Sequence, residues 1–169
     1  EERELTADAF FAAAERAATG KPAATPAGKA DLGAGEDPGA GCVLFDCLDS
    51  LPARRELGLV QDRLQEAGGS CTIFHGAVET WYGQATTLRS GGGGYRRIYG
   101  EALEAVPREP QKPIMPHVVA TIAAQQIGEF LMWCESPSRT PLSDCLLLYD
   151  GTRMQTRTVR LDAAQEHGA

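Results

Sequence analysis

The chain has 169 residues, 43% of them hydrophobic, with 16 Lys/Arg against 23 Asp/Glu and a net charge of −7; its isoelectric point is near 5.0. That length fits a single domain with a real core, and an acidic balance without a dense Lys/Arg cluster argues against a nucleic-acid partner or an anionic membrane surface. No apolar run approaches the ~18 residues that span a bilayer and no signal-peptide pattern opens the chain, so the expectation is a cytoplasmic protein with no membrane contact. The 5 cysteines include no CxxC pair, so no zinc is expected. They read as reduced, with Cys42, Cys47, Cys71 and Cys145 as small hydrophobes in or beside strand-like runs.

In chain order, Thr6 is placed to cap a helix running to about Ala18, with Leu5 stapled onto Phe10 and with Phe10, Ala14 and Ala17 on one face. A start at Glu1 without Met, already on the approach to a helix, reads as a fragment. Residues 20–41 are rich in Gly, Ala and Pro and poor in large apolar groups, which predicts a mobile, low-complexity surface insertion. Its GAGEDPGAG stretch fails as a phosphate loop, because no strand precedes it and no helix follows.

The next stretch, GCVLFDCLDSLPARRELG, concentrates the chemistry. Cys42 to Phe45 is a short apolar run that predicts a parallel strand buried on both faces, with neighbours on both sides. A helix follows: Pro52 suits its first position, Asp49 or Ser50 can cap it, and Ala53, Leu57, Val60, Leu64 and Ala67 recur with helical period. The strand therefore delivers Asp46 and Asp49 to its carboxyl end, where open parallel sheets bind ligands.

Gly68-Gly69 ends the helix, and Ser70 to Gly76 predicts a second strand with His75 at its far end as a hydrogen-bonded structural residue. A turn then leads into a strand from Gln84 to Arg89, with Gly83 permitting a bend or a close backbone approach and with Trp81 and Tyr82 packed. Residues 90–112 carry many breakers and read as a crossover loop, whose glycines beside Arg96 and Arg97 form a connector rather than a phosphate cradle. From Pro116 a helix presents Val119, Ile122, Ala123, Ile127, Phe130, Leu131 and Cys134 as a core stripe, broken by Gln126 alone. Two β-rich runs joined at Asp150-Gly151 close the chain as a hairpin. The sum is one α/β domain with a mixed sheet and antiparallel C-terminal strands.

Three stretches in this order resemble the second half of the ThiF/MoeB/HesA family, the bacterial relatives of ubiquitin-activating enzymes. They are VLFDCLDSLPAR, then FHGAVETWYGQATTL with Gly76, Gly83 and Gln84, and then HVVATIAAQQIGEFL followed by LSDCLLLYDGTRMQTRTVRL. The resemblance implies a partial Rossmann-like domain, dimeric in the family, that takes part in ATP- and Mg²⁺-dependent adenylation of the C-terminal glycine of a ubiquitin-like sulfur carrier protein. It implies that Asp49 is the acid beside the triphosphate and its Mg²⁺, with Asp46, Ser50 and Arg54 completing the nucleotide side. A Mg²⁺ near an acid neutralises charge and orients the α-phosphate for in-line attack by the carrier carboxylate.

The departures from the family are as specific. The Gly-rich nucleotide loop and phosphate-binding residues of the family's first half are missing, Ser50 stands where an asparagine is usual, and no cysteine occurs between Ser90 and Lys112. The expectation is thus a chain that works with a missing N-terminal half or as a homodimer. The alternative is a non-catalytic interaction module without a nucleotide site. A nicotinamide dehydrogenase is the poorest reading, since no dinucleotide fingerprint is present.

Overall fold

The apolar run before Asp46 forms strand β1 (Cys42–Asp46), followed by helix α1 (Leu51–Glu66) and a parallel neighbour, β2 (Cys71–Glu79). The computed structural model describes residues 41–104 and 113–161, so the predicted helix from Leu5 to Ala18 and nearly all of the predicted insertion lie outside the described residues. β3 (Tyr82–Arg89), β4 (Cys145–Asp150) and β5 (Gln155–Arg160) add in turn as antiparallel neighbours, giving a 5-stranded mixed sheet in the order β1-β2-β3-β4-β5. Between β3 and β4 come the short helix α2 (Arg96–Tyr99), a 3₁₀ turn (Gly100–Leu103), the long helix α3 (Pro116–Glu135) and a second 3₁₀ turn (Pro137–Arg139). The α/β class and the mixed sheet are as the sequence predicts. No helix among the described residues is long and apolar enough to cross a membrane.

Strand alternation sends side chains to two faces, and each face carries its own core. On one, Val60 and Leu64 of α1, with Tyr95 and Leu103, cover Cys71, Ile73 and Leu88. On the other, Val118 and Ile122 of α3, with Leu142, cover Ala85, Leu147 and Tyr149. α1 begins where Ser50 Oγ accepts the Ala53 N–H at 3.3 Å, so Ser50 is the cap and Asp49 is not.

Several expectations need correction. β1 is not a central strand: among the described residues β2 is its only neighbour, and Phe45 is 44% exposed. β2 continues past Gly76 to Glu79, because Gly76, Ala77 and Val78 pair with β3, so His75 lies mid-strand rather than at an end. β3 starts at Tyr82 after a tight turn in which Thr80 adopts φ 49°, and Trp81 and Tyr82 are exposed at that tip rather than packed. The 90–112 loop holds α2 and a 3₁₀ turn within its described part, and it buries Tyr95 and Leu103. Cys47 is exposed, Cys42 and Cys145 are half-buried and only Cys71 of those four is buried. The closing hairpin turns through four residues after Asp150, whose Oδ1 accepts the Thr152 N–H and O–H at 2.9 and 2.6 Å.

The largest correction concerns α3. Its buried residues are Val118, Ile122, Gln126 and Glu129, while Val119, Ile127 and Leu131 of the expected stripe are 45%, 53% and 61% exposed. The sheet decides this rotation. Gly76 and Gly83 leave gaps into which the helix settles, with Ile122 and Val118 over Gly83 and Gln126 over Gly76. A Cβ at Gly83 would stand 2.4 Å from Ile122 Cγ1, and one at Gly76 2.6 Å from Gln126 Cδ.

Gly83→Ala should therefore lower stability by about 1–3 kcal/mol through overpacking. Gly128→Ala, at a helix position with nothing within 4 Å of the added Cβ, should be neutral or raise stability by up to about 1 kcal/mol. Urea unfolding midpoints of the two variants check both signs.

Candidate functional site

The β1–β2 register sets Asp46 beside His75, on the face covered by α1 and α2. Both side chains are fully buried. Asp46 Oδ2 accepts from His75 Nδ1 at 2.5 Å, from the Tyr95 hydroxyl at 2.7 Å and from Arg54 Nε at 3.1 Å, while Oδ1 accepts the Leu48 N–H at 2.9 Å. Arg54 Nη2 also donates to the carbonyl oxygens of Leu48 and Gly76. Arg54 thus fixes the turn between β1 and α1 from inside, with its guanidinium over the Tyr99 ring, 6.0 Å from the centroid.

The remaining donors close the cluster. Because Nδ1 of His75 faces a carboxylate, the tautomer that satisfies it carries the proton there and leaves Nε2 as an acceptor. The Tyr99 hydroxyl lies 3.1 Å from that nitrogen and accepts in turn from Gln84 Nε2 at 2.7 Å. From the opposite face Gln126 Nε2 donates to the backbone oxygens of Asp46 and Phe74 at 3.0 and 2.8 Å.

Charge follows the geometry. Burial is the largest single influence on Asp46 and would raise its pKa, yet the His75 hydrogen bond, the Arg54 charge and the Leu48 N–H act against it, and the carboxyl lies below the usual carboxylate range. Burial pushes His75 below 6.5, and the opposing pull of Asp46 does not offset it. Burial also raises Tyr95 and Tyr99, with the Asp46 charge acting in the same direction on both. The ground state is an ionised Asp46, a charged Arg54, a neutral His75 and two phenols.

Of the four residues expected at a nucleotide, the structure brings Asp46 and Arg54 together as a buried ion pair. It places Ser50 at the helix cap and leaves Asp49 exposed on the short loop before α1. Asp46 has no free acceptor position directed at solvent, so Asp49 is the acid that a bound group outside the fold can reach. No group of three or more metal-ligating side chains occurs among the described residues. Surface depressions lie by Asp62, Gln65 and Glu66 and between α1 and the Gly93–Gly94 turn, and neither is lined by Asp46 or Asp49. By themselves these residues do not fit a Mg²⁺–ATP site: one free carboxylate holds Mg²⁺ only together with phosphates bound elsewhere.

Sequence reasoning missed Tyr95, Tyr99 and Glu129. The two tyrosines sit in a stretch without periodicity and carry no local signal. Glu129, whose Oε2 accepts from Thr87 Oγ1 at 2.8 Å and from the Leu142 N–H at 3.1 Å, lies three residues after Gln126 on the inward face. Those two polar residues at helical spacing were the available signal.

No known protein family matches the sequence, and no curated protein does. Among solved structures the chain is similar to a heterocyclase in complex with substrate and cofactor, with a TM-score of 0.45, 11% identity and coverage of 70% of this chain. It is also similar to a selenomethionine-labelled PaaA, with a TM-score of 0.44, 6% identity and coverage of 71% of this chain. Both likenesses are distant and concern the course of the chain alone. The chain spans 19% of the heterocyclase and 41% of PaaA.

Two outcomes follow for the cluster. Asp46→Ala, which strands a buried Arg54 charge, should cost about 3–5 kcal/mol in urea unfolding. Stability should also fall on acidification below pH 6.5, where the unfolded chain protonates His75 and the native one does not. A second loss should follow below pH 3.8, where unfolded Asp46 takes a proton ahead of the native carboxylate. His75→Gln should remove the first loss and keep the second, as read from unfolding midpoints across that range.

Proposed function

We propose that this chain is the C-terminal half of a ThiF-like unit acting as an interaction module, which holds a partner surface and depends on another polypeptide segment for any nucleotide chemistry. The observation that carries this reading is the closure of the Asp46 site. The first of the two acids that resemble the family's nucleotide-side pair is wholly buried and saturated by four donors from the chain itself. Its role is to hold the frame.

The surfaces around that frame support a partner-dependent role. The Cys42 N–H bonds the Ser70 oxygen on the β2 side, so by strand alternation the N–H and C=O groups of Val43 and Phe45 point to the other edge. Phe45 is exposed there, beside the Phe130 ring at 5.3 Å, and the Val119, Ile127 and Leu131 stripe of α3 is exposed too. Open strand edges and contiguous apolar surface mark association sites. The partners proposed are a ubiquitin-like carrier protein and either the missing N-terminal half or a second copy of the chain, in the cytoplasm.

Asp49 favours a second reading, adenylation of the carrier's C-terminal glycine once the missing half supplies the rest of the ATP site. Its carboxylate is exposed just past the carboxyl end of β1, where a nucleotide would lie in an open parallel sheet.

ATP–pyrophosphate exchange with a ubiquitin-like carrier, measured with the missing half supplied in cis or in trans, separates the two. The module reading predicts carrier binding by calorimetry without exchange. Exchange that drops on the order of 10²-fold or more in Asp49→Ala would establish the enzymatic reading instead. Light scattering at micromolar concentration should find the chain alone dimeric or self-associating, and a monodisperse monomer with a cooperative melt would count against uncovered association surfaces.

A further inference from the structure

Cys42 and Cys71 are register partners in the first rung of the β1–β2 pair, and both point to the face covered by α1. Paired residues in neighbouring strands are about 4.8 Å apart, inside the roughly 4.4–6.8 Å Cα separation that a disulfide bridges. Cys42 packs against the buried cluster that contains Cys71. Cys71 is 1% exposed, while Cys42, on the outermost described strand, is half-buried and within reach of a small oxidant. We propose that Cys42 and Cys71 form a peroxide-sensitive dithiol that closes to a disulfide between β1 and β2.

The environment divides the roles. The Cys71 side chain beside it lowers the Cys42 thiol to about 7, ahead of burial, which acts the other way. The Cys42 side chain and burial push Cys71 up. Cys42, the more accessible of the two thiols, is therefore the one that meets the oxidant and Cys71 the resolving thiol. The Cys42 thiolate attacks a peroxide oxygen: an S–O bond forms, the O–O bond breaks, and the departing hydroxide becomes water on protonation. Cys71 then loses its proton and attacks the sulfenic sulfur; the S–S bond forms, the S–O bond breaks and a second water leaves. Overall two thiols are oxidised by two electrons and one hydrogen peroxide is reduced to two waters.

The position gives the bond a consequence. Among the described residues the β1–β2 pair is tied at its far end by the Asp46–His75 contact and at its near end by the strand ladder and the packing of Cys42 against the core. A disulfide at Cys42 and Cys71 fixes the near end too, and so holds the sheet's outer strand in place whether or not its open edge is occupied.

The test uses the full chain carrying Cys47→Ser and Cys134→Ser, which removes the exposed thiols. After treatment with hydrogen peroxide, non-reducing peptide mapping should return one linked peptide pair joining Cys42 to Cys71, reversed by dithiothreitol. Adding Cys71→Ala should leave Cys42 as a dimedone-trappable sulfenic acid. Recovery of Cys71 as a free thiol beside a Cys42 oxidised to the sulfinic acid would overturn the proposal. The peptide map needs no substitution in the core, so it stands even if the Cys71 variant fails to fold.

Discussion

A carboxylate removed from water costs several kcal/mol unless every acceptor position is filled, and Asp46 meets that demand with donors from four parts of the chain. They are the backbone of Leu48, Arg54 in the first turns of α1, His75 in β2 and Tyr95 just before α2. None of these donors can be dropped without exposing an unpaired charge or an orphaned hydrogen-bonding group in the interior. The carboxyl end of β1, the start of α1, the middle of β2 and the segment after β3 are thereby held in a single mutual arrangement. That arrangement sets where Asp49 emerges and how the outer edge of β1 is presented.

The same principle extends across both faces of the sheet. Buried polar side chains from the two long helices reach the backbone or side chains of the layer beneath them. Gln61 of α1 donates to the Cys71 and Leu88 oxygens at 2.9 and 3.1 Å, Gln126 of α3 to Asp46 and Phe74, and Glu129 accepts from Thr87 and Leu142. Apolar contact alone leaves a helix free to slide or roll on a sheet. Directional bonds from Gln126 and Glu129, with Gly76 and Gly83 beneath the helix, leave α3 one seating. The cost of that seating is a row of apolar side chains turned away from the sheet.

These two features give the proposed module its physical basis. The interior near the strand end is chemically closed: its charges are paired and its hydroxyls and ring nitrogens are satisfied by neighbours. The exterior is not closed in the same sense, since β1 has one described neighbour and Val119, Ile127 and Leu131 face outward. Among the described residues, a saturated polar core beside an open backbone edge and exposed apolar side chains is the combination that the proposed module requires.

Local sequence determined the elements. The apolar run before Asp46, Ser50-x-Pro52 with helical spacing after it, Gly68-Gly69, Asp150-Gly151 and the long run from Pro116 each carry a backbone preference that acts within a few residues, and each became the expected strand, helix or turn. Only tertiary structure decided how they were used. Whether β1 is central depends on which strands stand beside it, and which face of α3 is buried depends on Gly76 and Gly83, far earlier in the chain. His75 became a partner of Asp46 because parallel pairing aligned two residues that are distant in sequence. Tyr95 and Tyr99 joined them because the loop after β3 folds back over the same strand ends. Periodicity records how a segment divides polar from apolar side chains; the energy that selects one face, or that buries a charge, comes from groups the segment meets only after folding.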